Sequence, residues 1–501
     1  MTGLFPIPDS WTWTTLGDVA HVVGGVTKDT KKQSDPGFPE VPYLRVANVQ
    51  RGYLDLREVT HIRVPEATLS KLRLLPGDVL LNEGGDRDKL GRGWVWEGQI
   101  ANCIHQNHVY RARLAPEIVR PRFLAWYINY PARHWFDEHA TQSVNLASIS
   151  LSRIRQLPVP LPPLSEQDRI VAALEEHLSR LDAGSTYLRQ ANRLERRLRT
   201  AIYTAAVEGS LVASPLMDSA ATPFAAERRS RWRKVHYDRT YKLPVEPNLE
   251  LEPSVPNGWQ VVSLEAATDP VRDIRYGILM PRVKTGGSVP YVEVKDLVDE
   301  TLIGKKLRQT TRELDERFSK SRLAKNDVVM AVRGSYERSA VVPDSLNGAN
   351  VSRDVVRIAP LTDLHPDYLH IYLQSAYSRR YFAHHARGVA VKGVNTASVR
   401  SLPIVVPAIE VQFKIVDEVS RWISGLKKIS TELISADKHA MSLRSSLLDE
   451  AYRGVLVPQD PTDQPTSILL ERIYAERAAL SRVKKGHSTP LRLVSQEETL
   501  L

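Results

Sequence analysis

Apolar positions along the chain change period twice. From residue 10 to about 160 they form short runs: Val41-Pro42-Tyr43-Leu44-Arg45-Val46, Asp78-Val79-Leu80-Leu81 and Val109-Tyr110-Arg111-Ala112-Arg113-Leu114. Gly- and Asp-bearing turns bound several of them, the pattern of short β-strands. One helix interrupts the strands at 121–128, opened by Pro121. From Ser165 the period becomes helical and holds to Glu208, where Gly209 supplies a left-handed cap. Ser165 with Asp168 three residues on predicts a capping box at its start. The same succession then repeats, with strands over 256–405, a helix at 365–373 opened by Pro366, and a second long helix ending at Gly454.

The repeat is literal in places. Pro8-Asp9-Ser10-Trp11 returns as Pro256-Asn257-Gly258-Trp259, Val41-Pro42-Tyr43 as Val289-Pro290-Tyr291, and Gly77-Asp78-Val79-Leu80 as Asn326-Asp327-Val328-Val329. The offset is 248 residues at the Trp and 245 at the Gly caps. Periods of about 20–50 residues would indicate a solenoid; half a chain indicates two copies of a whole domain. The expected fold class is α+β: two globular domains separated by two long antiparallel coiled-coil helices, with an internal pseudo-two-fold repeat.

In the second helix, apolar or small residues fall at Ile415, Val419, Trp422, Leu426, Ile429, Leu433, Ala436, Ala440, Leu443 and Leu447, a heptad seam. The first helix offers Ile170, Leu174, His177, Leu181, Gly184, Leu188, Ala191, Glu195, Leu198 and Ile202, a poorer seam. Leu178 and Leu194 lie beside its weak points and predict a local shift of the stripe. A helix over 165–208 is roughly 65 Å long, and one apolar stripe on such a rod needs a partner. The matching stripe is at hand, and a two-fold-related pair runs antiparallel. The expected boundaries are 1–160 and 256–405 for the globular domains and 161–212 and 406–457 for the spacer helices. A linker with a short basic helix occupies 213–255, and a similar tail occupies 458–501. Each of these two is read either as a solvated basic helix or as a docking segment for a partner.

Composition narrows the class. The formal net charge is +10 over 501 residues, a balance that favours a polyanionic partner. No apolar run reaches membrane-spanning length, and the N-terminus lacks a secretion signal. Cys103 is the sole cysteine, which rules out an intrachain disulfide and fits a cytoplasmic setting. No G-x-x-x-x-G-K-[ST] loop, G-x-G-x-x-G fingerprint or H-E-x-x-H motif occurs. Cys103, His105 and His108 have metal-like spacing but no evident fourth ligand, so no metal site is assigned. Glu293-Val294-Lys295, on an expected strand, is read as a surface ion pair because no upstream acid completes a nuclease site. No catalytic residue is assigned.

Polar and basic loops carry the remaining chemistry. In the first copy the candidates are Lys28, Lys31, Arg45, Arg87, Lys89, Arg92, Gln142 and Asn145. In the second they are Arg275, Tyr276, Arg282, Lys284, Arg333, Ser335, Tyr336, Arg338, Lys392 and Asn395. Arg and Lys can bond guanine edges, Asn and Gln adenine edges, and all can grip phosphates. These residues occupy matching places on a framework that repeats better than its loops do, as expected of two sites that read different sequences.

At Pro160-Leu161-Pro162-Pro163-Leu164-Ser165-Glu166-Gln167 the chain resembles the P-L-P-P-L-x-E-Q signature of the specificity subunits of Type I restriction–modification enzymes. Pro8-Asp9-Ser10-Trp11 with Leu16-Gly17-Asp18, Leu75-Pro76-Gly77-Asp78-Val79-Leu80 and the tail from Ile468 to Arg477 resemble the same family. The second copy departs at Pro407-Ala408-Ile409-Glu410-Val411-Gln412, which keeps a Pro and the Gln but loses Pro-Pro and Glu-Gln. The resemblance implies a non-catalytic subunit whose two target-recognition domains each read half of a split site in double-stranded DNA. It implies paired helices that set the gap and dock two methyltransferase subunits, with two motor–nuclease subunits joining them. S-adenosylmethionine, ATP and magnesium would belong to those partners. The rival reading is a non-enzymatic coiled-coil spacer whose globular ends bind proteins.

Overall fold

The computed structural model describes residues 4–85, 89–142, 147–212, 223–251, 253–279, 287–302, 307–388, 392–472 and 474–475. The chain forms two compact units, Met1–Thr186 with Asp437–Leu501, and Tyr187–Ala436.

Each unit repeats one plan. In the first, an antiparallel sheet is ordered Ala20–Gly24, Val109–Leu114, Val79–Asn82, Gly93–Val95. In the second the order is Arg275–Tyr276, Val355–Ile358, Val328–Ala331, Ser339–Val341. A three-stranded sheet accompanies each, with Glu40–Leu44 or Val289–Val292 at its centre and one parallel neighbour. The expected helices are Pro121–Asn129 and Pro366–Gln374, each with Pro in the first turn. Each domain closes on itself: Thr12–Thr15 pairs with Pro158–Leu161, and Gln260–Ser263 with Pro403–Val406. Two-stranded edges accept the prolines that an inner strand would reject.

Two duplicated details show how tightly the plan is held. A Cβ on Gly25 would sit 2.0 Å from the His105 carbonyl oxygen, and one on Gly277 would sit 1.8 Å from that of Val351. Only glycine permits that approach. Arg111 and Arg357, on the central strands, are buried to 2% and 0% exposure. Arg357 donates to the carbonyls of Arg272, Asp273 and Lys320 at 2.8–3.1 Å, and Arg111 to those of Lys71 and Arg73 at 3.2–3.3 Å. Burial pushes Arg357 down to about 10. These arginines brace a loop from inside the sheet.

The long helices run over Leu164–Val207 and Ile409–Tyr452, 44 residues each. In the first unit, Ile170, Leu174 and Leu178 near the start of one share a core with Leu448, Ala451 and Tyr452 at the end of the other. In the second unit, Ile202, Tyr203, Ala206 and Val207 share a core with Ile415, Val419, Ile423 and Leu426. The pairing is antiparallel. Both helices end on left-handed glycines, Gly209 (φ 74°) and Gly454 (φ 73°). Ser210 N donates to Ala205 O and Val455 N to Glu450 O, each at 2.9 Å, closing Schellman turns.

The strict heptad seam needs correction. Trp422, Ile429 and Leu443 are 52, 52 and 51% exposed, and Leu198 is 46% exposed. Gly184 is also exposed; Leu181, Leu188, Leu433 and Leu447 are half-buried. Burial instead steps through Ile170, Leu174, Leu178 and Leu181, and through Ile415, Val419, Ile423 and Leu426. Both helices thus take four, four and three residues before settling into the alternation. A straight helix has 3.6 residues per turn, so a strict seven-residue repeat drifts by about 20° per heptad, and an extra four-residue step recentres the stripe. Leu178 takes the place expected of His177 and Ile423 that of Trp422; Leu194 stays out.

The capping box is also corrected. Ser165 lies inside the first turn and bonds to Asp463, while Asp168 pairs with Arg120 at 2.7 Å. Gln167 fixes the helix start instead. Its Nε2 donates to Ile118 O and Pro162 O at 2.8 and 2.9 Å, and its Oε1 accepts from Arg120 N at 2.8 Å. Gln412 repeats this with Asp363 O, Pro407 O and His365 N at 2.8–3.0 Å. This clamp gives the Gln shared by both junctions its purpose.

The neighbouring position differs. Buried Glu166 accepts from Trp11 Nε1 at 3.0 Å and from Gln459. Its counterpart is the buried apolar Val411, and Trp259 Nε1 is buried without a partner among the described residues. Burial raises the Glu166 carboxyl above its ordinary 4.5, so the folded chain holds this proton more tightly than the unfolded chain. Stability from this group therefore falls as pH rises from about 4.5 through the raised folded value. Glu166→Gln should remove that fall, so urea titrations at pH 4 and pH 7 should show the variant gaining on the parent at the higher pH. An equal difference at both would mean that Trp11 and Gln459 fully compensate the buried charge.

A hairpin in the second unit reaches its long helix. Asp299 and Glu300 turn between Leu297–Val298 and Thr301–Leu302 with φ of 48° and 65°, a type I′ geometry costly without glycine. Glu300 accepts from Tyr203 and lies 3.5 Å from Arg199, which also bonds Glu195 at 2.6 Å. At the matching turn of the first unit stands Gly52 (φ 84°), with nothing within 4 Å of where a Cβ would be.

The linker helix, Phe224–Val235, is not simply solvated: one face docks on its own unit. Phe224 enters the core, Arg228 donates to Glu265 O and Thr268 O, and Arg231 pairs with Asp269. The tail docks likewise on the first unit through Asp463–Arg169 and buried Leu470. The tail beyond 475 lies outside the described residues.

Candidate nucleic-acid interface

The two frames bring together loops that are far apart in sequence. In the first unit, Gly84–Gly85 pairs with Ala147–Ser148, which pairs with Thr141–Gln142. The loop bearing Lys89 and Arg92 therefore sits beside the one bearing Gln142. In the second unit, Gly393 bridges both Arg333 and Arg387, joining the corresponding loops. Close approach again depends on glycine: a Cβ on Gly84 would sit 2.6 Å from Ala147 O.

Individual candidates divide by exposure and partner. Lys28, Lys31, Arg45, Arg333, Arg338 and Lys392 are exposed. Arg338 also donates to Leu297 O at 3.2 Å, and Arg333 lies 3.7 Å from Asp354. Lys89 and Arg92 are half-buried, and Arg92 donates to Gln50 at 3.4 Å. Arg275 is paired with Asp273 at 2.9 Å, beside Tyr276, which is half exposed. Ser335 is half-buried, and Tyr336 packs against the second core. Asn395 caps the helix Thr396–Arg400 by accepting from Ser398 N at 2.7 Å, which engages its side chain. Arg87, Asn145, Arg282 and Lys284 lie outside the described residues.

The other chemical candidates resolve simply. Burial pushes the Cys103 thiol up to about 12 and His105 down to about 4. His105 Nδ1 contacts Val109 O, and His108 contacts Glu83, both at 2.7 Å. Among the described residues no group of three or more His, Cys, Asp or Glu side chains could hold a metal ion. Glu293 and Lys295 pair at 2.7 Å, but on a 3-10 turn just past the strand rather than within it. No helix among the described residues is long and apolar enough to cross a membrane.

Sequence reasoning missed the bracing arginines, because an arginine in a strand reads as a solvent-facing residue. It also missed Glu300, whose partners lie about a hundred residues away in the long helix. The Gln clamp was visible only as part of a motif.

Two copies of one α+β plan, each built onto an end of both long helices, define a recognised class. The model of the Type I restriction modification DNA specificity domain matches residues 8–186 and 279–436, and the chain belongs to that family. Among its relatives is the Type I restriction enzyme EcoBI specificity subunit of Escherichia coli, 25% identical over 488 residues, spanning 96% of this chain and 95% of that one. The EcoKI specificity subunit of Escherichia coli strain K12 is 21% identical over 497 residues, spanning 94% and 97%. A solved chain from work on complex assembly and conformational transition of the type I R-M system shares the fold. Its TM-score is 0.61 at 17% identity, over 90% of this chain and all of that one.

Proposed function

We propose that this chain is the non-catalytic, DNA-reading subunit of a cytoplasmic Type I restriction–modification complex. Residues 1–160 and 256–405 each read one half of a bipartite site in double-stranded DNA. The antiparallel helices set the gap and hold two methyltransferase subunits, which two motor–nuclease subunits join. S-adenosylmethionine, ATP and magnesium are bound by those partners. The observation that carries this reading is a frame duplicated down to its glycines and bracing arginines, bearing loops that differ between copies. A matched frame with unlike loops suits two readers of unlike sequences.

The test is performed on the complex with its methyltransferase. Exchanging residues 1–160 for another member's first domain should change the methylated sequence at one half-site only; a change at both would refute independent readers. Adding seven residues to both helices, within 181–199 and 426–444, should lengthen the tolerated gap. An unchanged gap would remove the ruler.

A further inference from the structure

A cleft of about 420 Å³ opens in the second unit between three separate segments. Arg275 and Tyr276 come from an edge strand, Arg317 and Lys320 from the end of a short helix and the 3-10 turn after it, and Thr396 and Arg400 from the short helix after Asn395. Four of these six are cations. Carboxylates serve two of them: Asp273 pairs with Arg275 at 2.9 Å and lies 3.6 Å from Arg400, and Glu265 lies 3.9 Å from Arg400. Arg317 and Lys320 are exposed, and among the described residues no acid pairs with either.

Part of this charge belongs to the frame and part does not. Arg400 donates to Ile274 O at 3.0 Å just as Arg155 donates to Val22 O at 2.8 Å in the first unit. Arg275 and Tyr276 instead stand where the strand register of the first unit places Val23 and Gly24. The second copy has therefore added a cation and a phenol to a shared edge, beside two unpaired cations. Like charges gathered around one concavity repel one another unless an anion enters. Guanidinium, ammonium and hydroxyl donors converging on a small cleft match a phosphate group.

We propose that this cleft seats a backbone phosphodiester beside the second half-site, with Arg317 and Lys320 supplying the neutralising charge. The seat rests on the DNA-reading function proposed above and deepens it. It fixes the register of the second reader on the duplex without reading a base. The cleft adjoins the Lys392–Asn395 loop through Thr396, so a seated phosphate holds that loop against the groove.

The experiment uses the complex with its methyltransferase, with Arg317→Gln/Lys320→Gln compared with Lys325→Gln, an exposed cation outside the cleft. Affinity is measured for the methylated duplex and for one with the second half-site scrambled, from 50 to 200 mM salt. The double variant should bind both duplexes about tenfold or more weakly, with their ratio unchanged. Its slope of log K against log salt should be shallower by about 0.9, one phosphate contact's worth. Lys325→Gln should keep the parent slope. Unchanged affinity, or a loss on the methylated duplex alone, would overturn the seat while leaving DNA reading intact. A parent complex indifferent to sequence would overturn the reading itself. In a parallel arm the chain is titrated with inorganic phosphate. Stabilisation that the double variant abolishes, with an unchanged DNA slope, would assign the cleft to a small free anion and overturn the backbone seat.

Discussion

Gly277→Ala is expected to destabilise the second unit by more than about 3 kcal/mol, at the upper end of what one added methyl group costs. The new Cβ would lie 1.8 Å from the Val351 oxygen and 2.5 Å from its carbonyl carbon. Both neighbours are backbone, so no side chain can swing away. Relief requires parting the bridge between Ile278 and Ser352, which sets the edge carrying Arg275 and Tyr276. Denaturant titration should show an early transition, and the complex should lose preference at one half-site. Gly25→Ala should do the same in the first unit, where the distance is 2.0 Å. A midpoint shift equivalent to less than about 1 kcal/mol would mean that the strands separate freely, and the close approach would not be a constraint.

Gln167→Leu and Gln412→Leu are the second pair of large effects, each expected to cost about 3–5 kcal/mol. One buried amide satisfies two carbonyls and one backbone N–H in each junction. Leucine keeps the volume and strands all three groups, each worth about 1–3 kcal/mol when orphaned. The loss should be read by urea denaturation of the whole chain. Hydrogen exchange should quicken first in the opening turn of the affected long helix. Leucine variants as stable as the parent would show that water reaches these groups and that the clamp is dispensable.

Much of this architecture was legible because it rests on local signals. The duplication, the strand runs, the Pro-opened helices and the Gly-terminated long helices follow from residues close together in sequence. The first long helix begins and ends within about a residue of the expected 165–208, and the second ends just before Gly454 as expected, though it begins at Ile409 rather than 406. The seam was legible in kind and misplaced in detail. Trp422 fits a seven-residue template, yet the untwisted helix rotates it outward and brings in Ile423. The capping box failed because Ser165 found a partner, Asp463, some three hundred residues away. The candidate interface was legible as a set of loops. Which loops meet was not, because Gly84 against Ser148 and Gly393 against Arg333 are tertiary pairings. Arg111 and Arg357 stayed hidden for the same reason: their carbonyl partners belong to loops roughly forty or more residues away.

The two domains meet their long helices differently at one bend. For the second to tilt against its helix, a half-buried carboxylate must leave a phenol and a guanidinium, and a turn already bent into an unfavourable shape must shift with it. The glycine at the same bend in the first has no such grip to release. At this bend, then, duplication has left one copy with a side-chain tie to the neighbouring rod and the other with a bare glycine.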